Sequence, residues 1–321
     1  MNETLEKLGE IGIIPVIRLN SPEQAKPLGR ALIAGFLSVA EITFRTSAAR
    51  ESIRIISKEF PGITVGAGTV LSTDQADEAI EAGASYIVTP GFNPKVVERC
   101  VQKNVPIIPG VSNPSQIEEA LEMGLEVLKF FPAESSGGAG TLKAFAGPYG
   151  DKVSFIPTGG VNERNLAGYL SLSNVHAVGG SWMVPDSLIE AGDYSGVERL
   201  CREARYLSLG FSLLHIGINA GEDGDAGPNA ELFSSMLGLP VKDGSSSAFV
   251  GKPFEIMKAN GRGKHGHIAI ETLSVERALG WFSDFGFKPV SETIRMKDGH
   301  ISFAYVEPLF MGFALHLNRR G

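Results

Sequence analysis

The chain has 321 residues, 43% apolar and 20% charged, with a formal net charge of -7, which fits one large or two moderate globular domains and excludes a disordered or fibrous chain. The negative balance and the lack of any Lys/Arg-rich run argue against nucleic acid as a partner, and no apolar stretch approaches the length of a bilayer span, so no membrane is expected. The N-terminal run Met1-Asn2-Glu3-Thr4-Leu5-Glu6-Lys7 has no basic segment followed by an apolar one, and Cys100 and Cys201 fall in helix-like segments as reduced core residues, so a cytoplasmic enzyme is expected.

From residue 13 to about 182, short β-branched or apolar runs recur every 20 to 27 residues, each followed by an amphipathic helix-like segment. They start near Ile13, Val39, Thr64, Tyr86, Pro106, Val127, Ser154 and Ala177. Strands alternating with helices imply parallel pairing through right-handed crossovers, and eight near-equal units predict a compact α/β fold, the (β/α)8 TIM barrel. A doubly wound open sheet would not need eight such units.

Several runs end in polar or glycine clusters: Glu41 to Thr46, Gly66-Ala67-Gly68-Thr69, Thr89-Pro90-Gly91, Pro109 to Ser112, Pro157-Thr158-Gly159-Gly160 and Gly179-Gly180-Ser181. Any one of these is ordinary turn chemistry. In a barrel all six gather on the face where active sites are built.

After Ala204 the rhythm changes. A short bridge from Arg205 to Gly210 leads to a region holding five of the six histidines. There Leu214-His215-Ile216-Gly217-Ile218 parallels Gly266-His267-Ile268-Ala269-Ile270, Phe233 to Val241 parallels Trp281 to Val290, and Gly251 to Ile256 parallels Gly312 to Leu317. This two-fold repeat of strand, helix and several strands predicts a separate, mostly β domain. The expected domains are residues 1–207 and 208–321. The acidic run 221–227 lacks the spacing of a calcium loop and reads as a connection.

Lys129 is the candidate for chemistry in the first domain. It lies inside Val127-Leu128-Lys129-Phe130-Phe131-Pro132, with no partner nearby in sequence. An apolar setting disfavours the ammonium form and frees the amine, so such a lysine is either a structural oddity or a nucleophile. As a nucleophile it would add to a ketone, lose water and give an iminium that accepts electrons as an adjacent carbon–carbon bond breaks. That reaction needs a proton shuttle, for which Glu41 in the second apolar run is suited. It also needs a cation for the substrate carboxylate, for which the planar fork of Arg45 is suited. The spacing of four predicts that Glu41 and Arg45 point to the same side of a strand; a plain rim ion pair is the alternative. The glycine-rich ends after the seventh and eighth strands fall where barrels commonly hold a phosphate on backbone N–H groups.

These residues are familiar. The stretches Ile14-Pro15-Val16-Ile17-Arg18, Glu41 to Thr46, Val65 to Leu71, Leu128 to Glu134, Pro157 to Gly160 and Gly179 to Trp182 closely resemble, in combination and order, the class I 2-dehydro-3-deoxy-phosphogluconate aldolase family, which also cleaves 4-hydroxy-2-oxoglutarate. The resemblance covers about two-thirds of the chain. It implies Lys129 as the Schiff-base lysine, Glu41 as the proton shuttle, and Arg45 with Thr69 as ligands of the pyruvate half. It implies a phosphate site at Gly159, Gly160 and Ser181, and adds Arg18, Phe131, Thr158 and Gly180 to the substrate-binding set. A phosphorylated keto acid and pyruvate are then the partners, the assembly is a homotrimer, and no cofactor is needed for this chemistry. Relatives acting on the galactonate epimer share the fold and the lysine, so the epimer stays open.

The repeat in the second domain resembles the vicinal oxygen chelate superfamily, whose glyoxalase-like βαβββ halves pair into a cupped α+β sheet. By motif position the resemblance implies His215, Glu255, His267 and His316 as ligands of a divalent metal. Three imidazoles and a carboxylate suit Zn, Fe, Ni or Mn. His265, two residues before His267, competes as a ligand, although the repeat favours His267. A metal-dependent isomerase, lyase or dioxygenase, a ligand sensor and a non-catalytic scaffold all remain open for this domain.

Overall fold

A computed structural model describes residues 2–220 and 225–320, so residues 221–224 of the acidic run lie outside the described residues. The chain forms two compact units, Met1–Ser208 and Leu209–Gly321.

In the first unit, strands β1 (Ile13–Ile17), β2 (Val39–Thr43), β3 (Thr64–Gly68), β4 (Tyr86–Val88), β5, β6 (Val127–Phe130), β7 (Ser154–Pro157) and β8 (Val178–Gly180) follow one another with intervening helices. Strand β5 runs in two pieces, Ile107–Ile108 and Gly110–Val111. Proline at 109 has no N–H to give a ladder, which accounts for the break between them. The pairing runs β5–β4–β3–β2–β1–β8 through the first piece of β5 and β5–β6–β7 through the second. Parallel bridges Phe155↔Val175 and Thr158↔Gly179 close the ring. All eight strands are parallel to their neighbours, as the alternation of strand and helix requires.

The N-terminal end of the barrel is stoppered by its own chain. Helix Glu3–Ile11 inserts Leu8 among Ile14, Val39, Tyr86, Val88, Ile108, Val127, Ile156 and Ala177, with Leu5 and Ile11 packed beside it. Leu8 is fully buried, which stabilises the fold by about 1.5–3 kcal/mol. Several outer helices are started by short polar residues ahead of proline: Asn93 accepts from the N–H of Lys95 with Pro94 in the first turn, and Asn113 from that of Gln116 with Pro114. Such starts fix where each helix begins, a few residues past the C-terminal end of the strand before it.

Two expectations change. The bridge Arg205 to Gly210 is mostly helix, since Tyr194–Leu209 is continuous. Arg205 is buried there and donates to the carbonyl of Ile11, so tertiary contacts decide what the local sequence did not. Arg45 is not on β2, which ends at Thr43.

The second unit is one mixed sheet. Its strands are β9 (Ser212–Asn219), β10 (Val241–Asp243), β11 (Ser247–Val250), β12 (Phe254–Met257), β13 (Gly266–Thr272), β14 (Lys288–Pro289), β15 (Arg295–Lys297), β16 (His300–Phe310) and β17 (Phe313–Arg319). The order is β10–β11–β12–β9–β13–β17–β16–β14, with β15 on β16. In each half the first strand pairs parallel with the last, β9 with β12 and β13 with β17, and the two halves meet where β9 and β13 run antiparallel. Each half carries one helix after its first strand, Ala226–Leu237 and Val275–Ser283. The internal repeat is therefore a repeat of topology as well as of sequence.

Candidate active site and candidate metal centre

At the centre of the barrel, Nζ of Lys129 lies 3.3 Å from Oε1 of Glu41. Both are buried, at 5% and 3% exposure. The amine without a partner near it in sequence thus has one in space, on a strand 88 residues earlier. The ring of Phe131 sits beneath Nζ at 5.4 Å from its centroid, a cation–π distance.

The room for this pair is made by glycines. A Cβ on Gly68 would run into Oε1 of Glu41, and one on Gly66 into the Tyr86 ring. Strand β3 lies beside β2 with Glu41 opposite Gly66 and Thr43 opposite Gly68. The Tyr86 hydroxyl donates to the Ala40 carbonyl at 2.9 Å. Burial, then the Glu41 charge, hold this phenol well above its ordinary range, so it stays a neutral donor. Thr69, just past β3, has φ +56°, a conformation costly for a β-branched residue and characteristic of functional sites.

A cleft of about 430 Å³ opens at the C-terminal ends of the strands, lined by Arg18, Thr43, Arg45, Phe131, Thr158, Gly159, Gly160, Gly180, Ser181, Trp182 and Asp186 among others. Eight of the predicted substrate-binding residues meet in it. Lys129, Glu41 and Thr69 are not among its lining, although Phe131, two residues past Lys129, is. Arg45 reaches the cleft from the turn after β2 and is exposed, alongside buried Thr43. Arg18 is already engaged, 2.8 Å from Asp186 and 3.6 Å from Glu190. This acidic partner, far along the chain, is not evident from the sequence.

The glycine ends behave as more than turns. Gly159 and Gly160 have φ +96° and +84°, open to glycine at little cost. The carbonyl of Gly160 accepts from the side-chain amides of Asn162 and Asn165 at 3.1 and 3.0 Å. The backbone N–H groups of Gly160 and Ser181 meet no acceptor among the described residues. A Cβ on Gly180 would strike the Trp182 ring, and one on Gly179 the Thr158 side chain. A narrow wall of backbone polar groups is the kind of surface that holds an oxyanion.

In the second unit, His215, His267 and His316 bring one ring nitrogen each within 4.8 Å of one another. Oε2 of Glu255 lies 3.1 Å from Nε2 of both His215 and His267, whose own Nε2 atoms are 3.0 Å apart. The strand pairing explains the convergence. His215 faces Ala269 across β9 and β13, and Ala269 faces His316 across to β17. Glu255 faces Gly217, and Gly217 faces His267. A Cβ at Gly217 would collide with the His267 ring, so that glycine is the seat of the imidazole.

Nδ1 of His316 is 2.7 Å from Oδ1 of Asn318. That oxygen only accepts, so Nδ1 carries the proton and Nε2 keeps its lone pair. Burial first, and the neighbouring His267 second, push His316 down to about 3, so its ring stays neutral. Hydrogen bonds from His215 and His267 hold the Glu255 carboxyl well below the usual carboxylate range, with help from Ser247. His265 stands apart from the cluster, against Phe313. Phe249 flanks His215, while Phe303 and Tyr305 flank His316. These rings and Asn318 were not foreseen; the even spacing of Asn318 from His316 on one strand is the signal that would have found the latter.

Among the described residues no helix is long and apolar enough to cross a membrane. The model of the KDPG and KHG aldolase family matches residues 4–200. The 2-dehydro-3-deoxy-phosphogluconate aldolase of Treponema pallidum is 49% identical over 198 residues, 62% of this chain and 94% of that protein. The KHG/KDPG aldolase of Escherichia coli K12 is 44% identical over 192 residues, 60% of this chain and 90% of that protein. Among solved structures, the KDPG aldolase of Legionella pneumophila, with pyruvate captured as a covalent carbinolamine intermediate, is 38% identical with a TM-score of 0.61 over 63% of this chain and 98% of its own. The Zymomonas mobilis enzyme with 3-phosphoglycerate is 37% identical with a TM-score of 0.59, over 63% of this chain and 95% of its own. The family match ends before the second unit begins.

Proposed function

The chain belongs to the KDPG and KHG aldolase family, and from that premise we propose that its first unit is a class I aldolase that cleaves 2-dehydro-3-deoxy-6-phosphogluconate to pyruvate and glyceraldehyde 3-phosphate, and 4-hydroxy-2-oxoglutarate to pyruvate and glyoxylate. The observation that carries this reading is the buried Lys129–Glu41 pair at 3.3 Å. The Lys129 amine adds to the substrate ketone, and loss of water gives the iminium. The carbon–carbon bond then breaks as the iminium takes its electrons and Glu41 takes the proton of the hydroxyl on the departing carbon. Protonation of the enamine and hydrolysis release pyruvate and the lysine. Arg45 and Thr69 hold the carboxylate end. Phe131 and Thr158 wall the cleft, and Gly159, Gly160, Gly180 and Ser181 receive the phosphate. Arg18, paired with Asp186, shapes the cleft more than it adds free charge. No cofactor enters these steps. Borohydride reduction with pyruvate should leave a three-carbon adduct on Lys129. An adduct on Lys143 or Lys152, or none, defeats the reading.

The second unit belongs in this reading to the vicinal oxygen chelate superfamily, on the strength of its paired βαβββ halves and the three-histidine cluster. His215, His267, His316 and Glu255 would hold a divalent metal. Ligand atoms ~2.0–2.1 Å from one ion stand roughly 3 Å apart, which the Glu255, His215 and His267 atoms already do. Such a metal supplies Lewis acidity toward an oxygen ligand. Metal content of the full chain, measured against His267→Ala, tests it: an equal and negligible content in both removes the site. A homotrimer in the cytoplasm completes the proposal, and sedimentation of the purified chain checks the assembly.

A further inference from the structure

Glu134 is an awkward residue to find beside a phosphate site. Its Cβ and Cγ lie directly under Gly160, close enough that a Cβ added there would sit 2.5 Å from Cγ. The backbone N–H of Glu134 donates to the Gly159 carbonyl at 3.1 Å, and that of Ala133 to the Thr158 carbonyl at 2.8 Å. The segment following Lys129 is thus laced to the glycine turn, and a carboxylate comes with it. A free carboxylate in that place would repel a phosphate dianion.

Tyr169 resolves the conflict. It projects from helix Leu166–Leu170, is 1% exposed, and donates its hydroxyl to Oε1 of Glu134. The same oxygen lies near Gly138, where a Cβ would come within 3.2 Å of it. Glu134 is absent from the lining of the cleft although Gly159, Gly160 and Val161 all belong to it. The phenol therefore holds the carboxylate on the far side of the turn. Burial first, and this bond second, push the phenol well above its ordinary range and keep it in its neutral, donating form.

We propose that Glu134 and Tyr169 form a positioning pair that sets the Gly159–Gly160 turn and turns a negative charge away from it, and so determines selectivity for phosphorylated over unphosphorylated substrates. Neither residue touches the reacting atoms. The inference rests on the proposed phosphate site at this turn. It predicts a defect that depends on the phosphate, which a merely structural role would not produce.

The test compares 2-dehydro-3-deoxy-6-phosphogluconate with 4-hydroxy-2-oxoglutarate, which has no phosphate, on the full chain. Tyr169→Phe removes one oxygen and keeps the packed ring. It should raise KM for the phosphorylated substrate by about threefold to tenfold, the effect of one lost hydrogen bond, with kcat held and the unphosphorylated substrate changed less than twofold. Glu134→Gln keeps an acceptor without the charge and should stay near wild type in both. Equal losses on the two substrates, or none on either, overturn the pair. Gly160→Ala separates the two levels of the argument. If it leaves KM for the phosphorylated substrate unchanged, the phosphate site itself is wrong; if it raises that KM while Tyr169→Phe does not, only the positioning pair fails.

Discussion

Nζ of Lys129 and Oε1 of Glu41 stand 3.3 Å apart in the barrel interior, on strands that are not neighbours in the sheet. A hydrogen-bonded carboxylate within reach of the amine is what both proton transfers of an imine mechanism need, because the same group can take a proton from one intermediate and return it to the next. Burial of the pair also keeps water from competing for those protons.

Replacement of Glu41 by Gln keeps the shape and removes the base. Turnover should fall by roughly 10²-fold or more, while imine formation with pyruvate remains detectable by borohydride trapping. Wild-type turnover in Glu41→Gln would remove Glu41 from the chemistry.

Gly68→Ala places a methyl where the Glu41 carboxylate now lies. The carboxylate must move away from Lys129, and steady-state kcat should drop by about tenfold or more for a positioning error of this kind. The far-UV spectrum should hold, because the change is at a strand end. An unchanged kcat would mean the carboxylate has another productive position.

Gly217→Ala makes the matching test in the second unit, since the added methyl collides with the His267 ring. Metal bound per chain, measured after dialysis, should fall as far as in His267→Ala. Pyruvate release by the first unit should stay within about twofold, as expected of sites with no shared partners.

Alkaline titration reads the buried phenols. Burial raises the folded-state values of both Tyr86 and Tyr169 above the unfolded one. A group whose proton is held more tightly when folded adds stability below its unfolded value near 10, and loses it as pH rises toward the folded value. Phenolate absorbance should therefore show two tyrosines that ionise only with unfolding above about pH 10, and Tyr169→Phe should remove one of them. Titration of all six tyrosines in the still-folded protein would contradict the burial argument.

The barrel was legible because its signal is periodic: eight apolar runs at near-equal spacing leave little choice of topology, and their polar ends must share a face. Lys129 and Glu41 stood out for the same reason, as charges where the period demands apolar side chains. The repeat in the second unit located His215, Glu255, His267 and His316 by position alone. The helix through Arg205 was not legible, since Arg205 is held by the carbonyl of Ile11 from the other end of the unit.

By itself the sequence determined which residues are the candidates for chemistry, since a residue type that breaks a local pattern is visible without coordinates. Only the tertiary structure decided what those residues do to one another. It gave the amine of Lys129 a carboxylate, tied Arg18 to Asp186, seated His267 on Gly217 and turned Glu134 toward Tyr169. Each of these depends on a distance of a few ångströms between residues far apart in the chain, and such distances are set by packing and strand register, to which a one-dimensional pattern has no access.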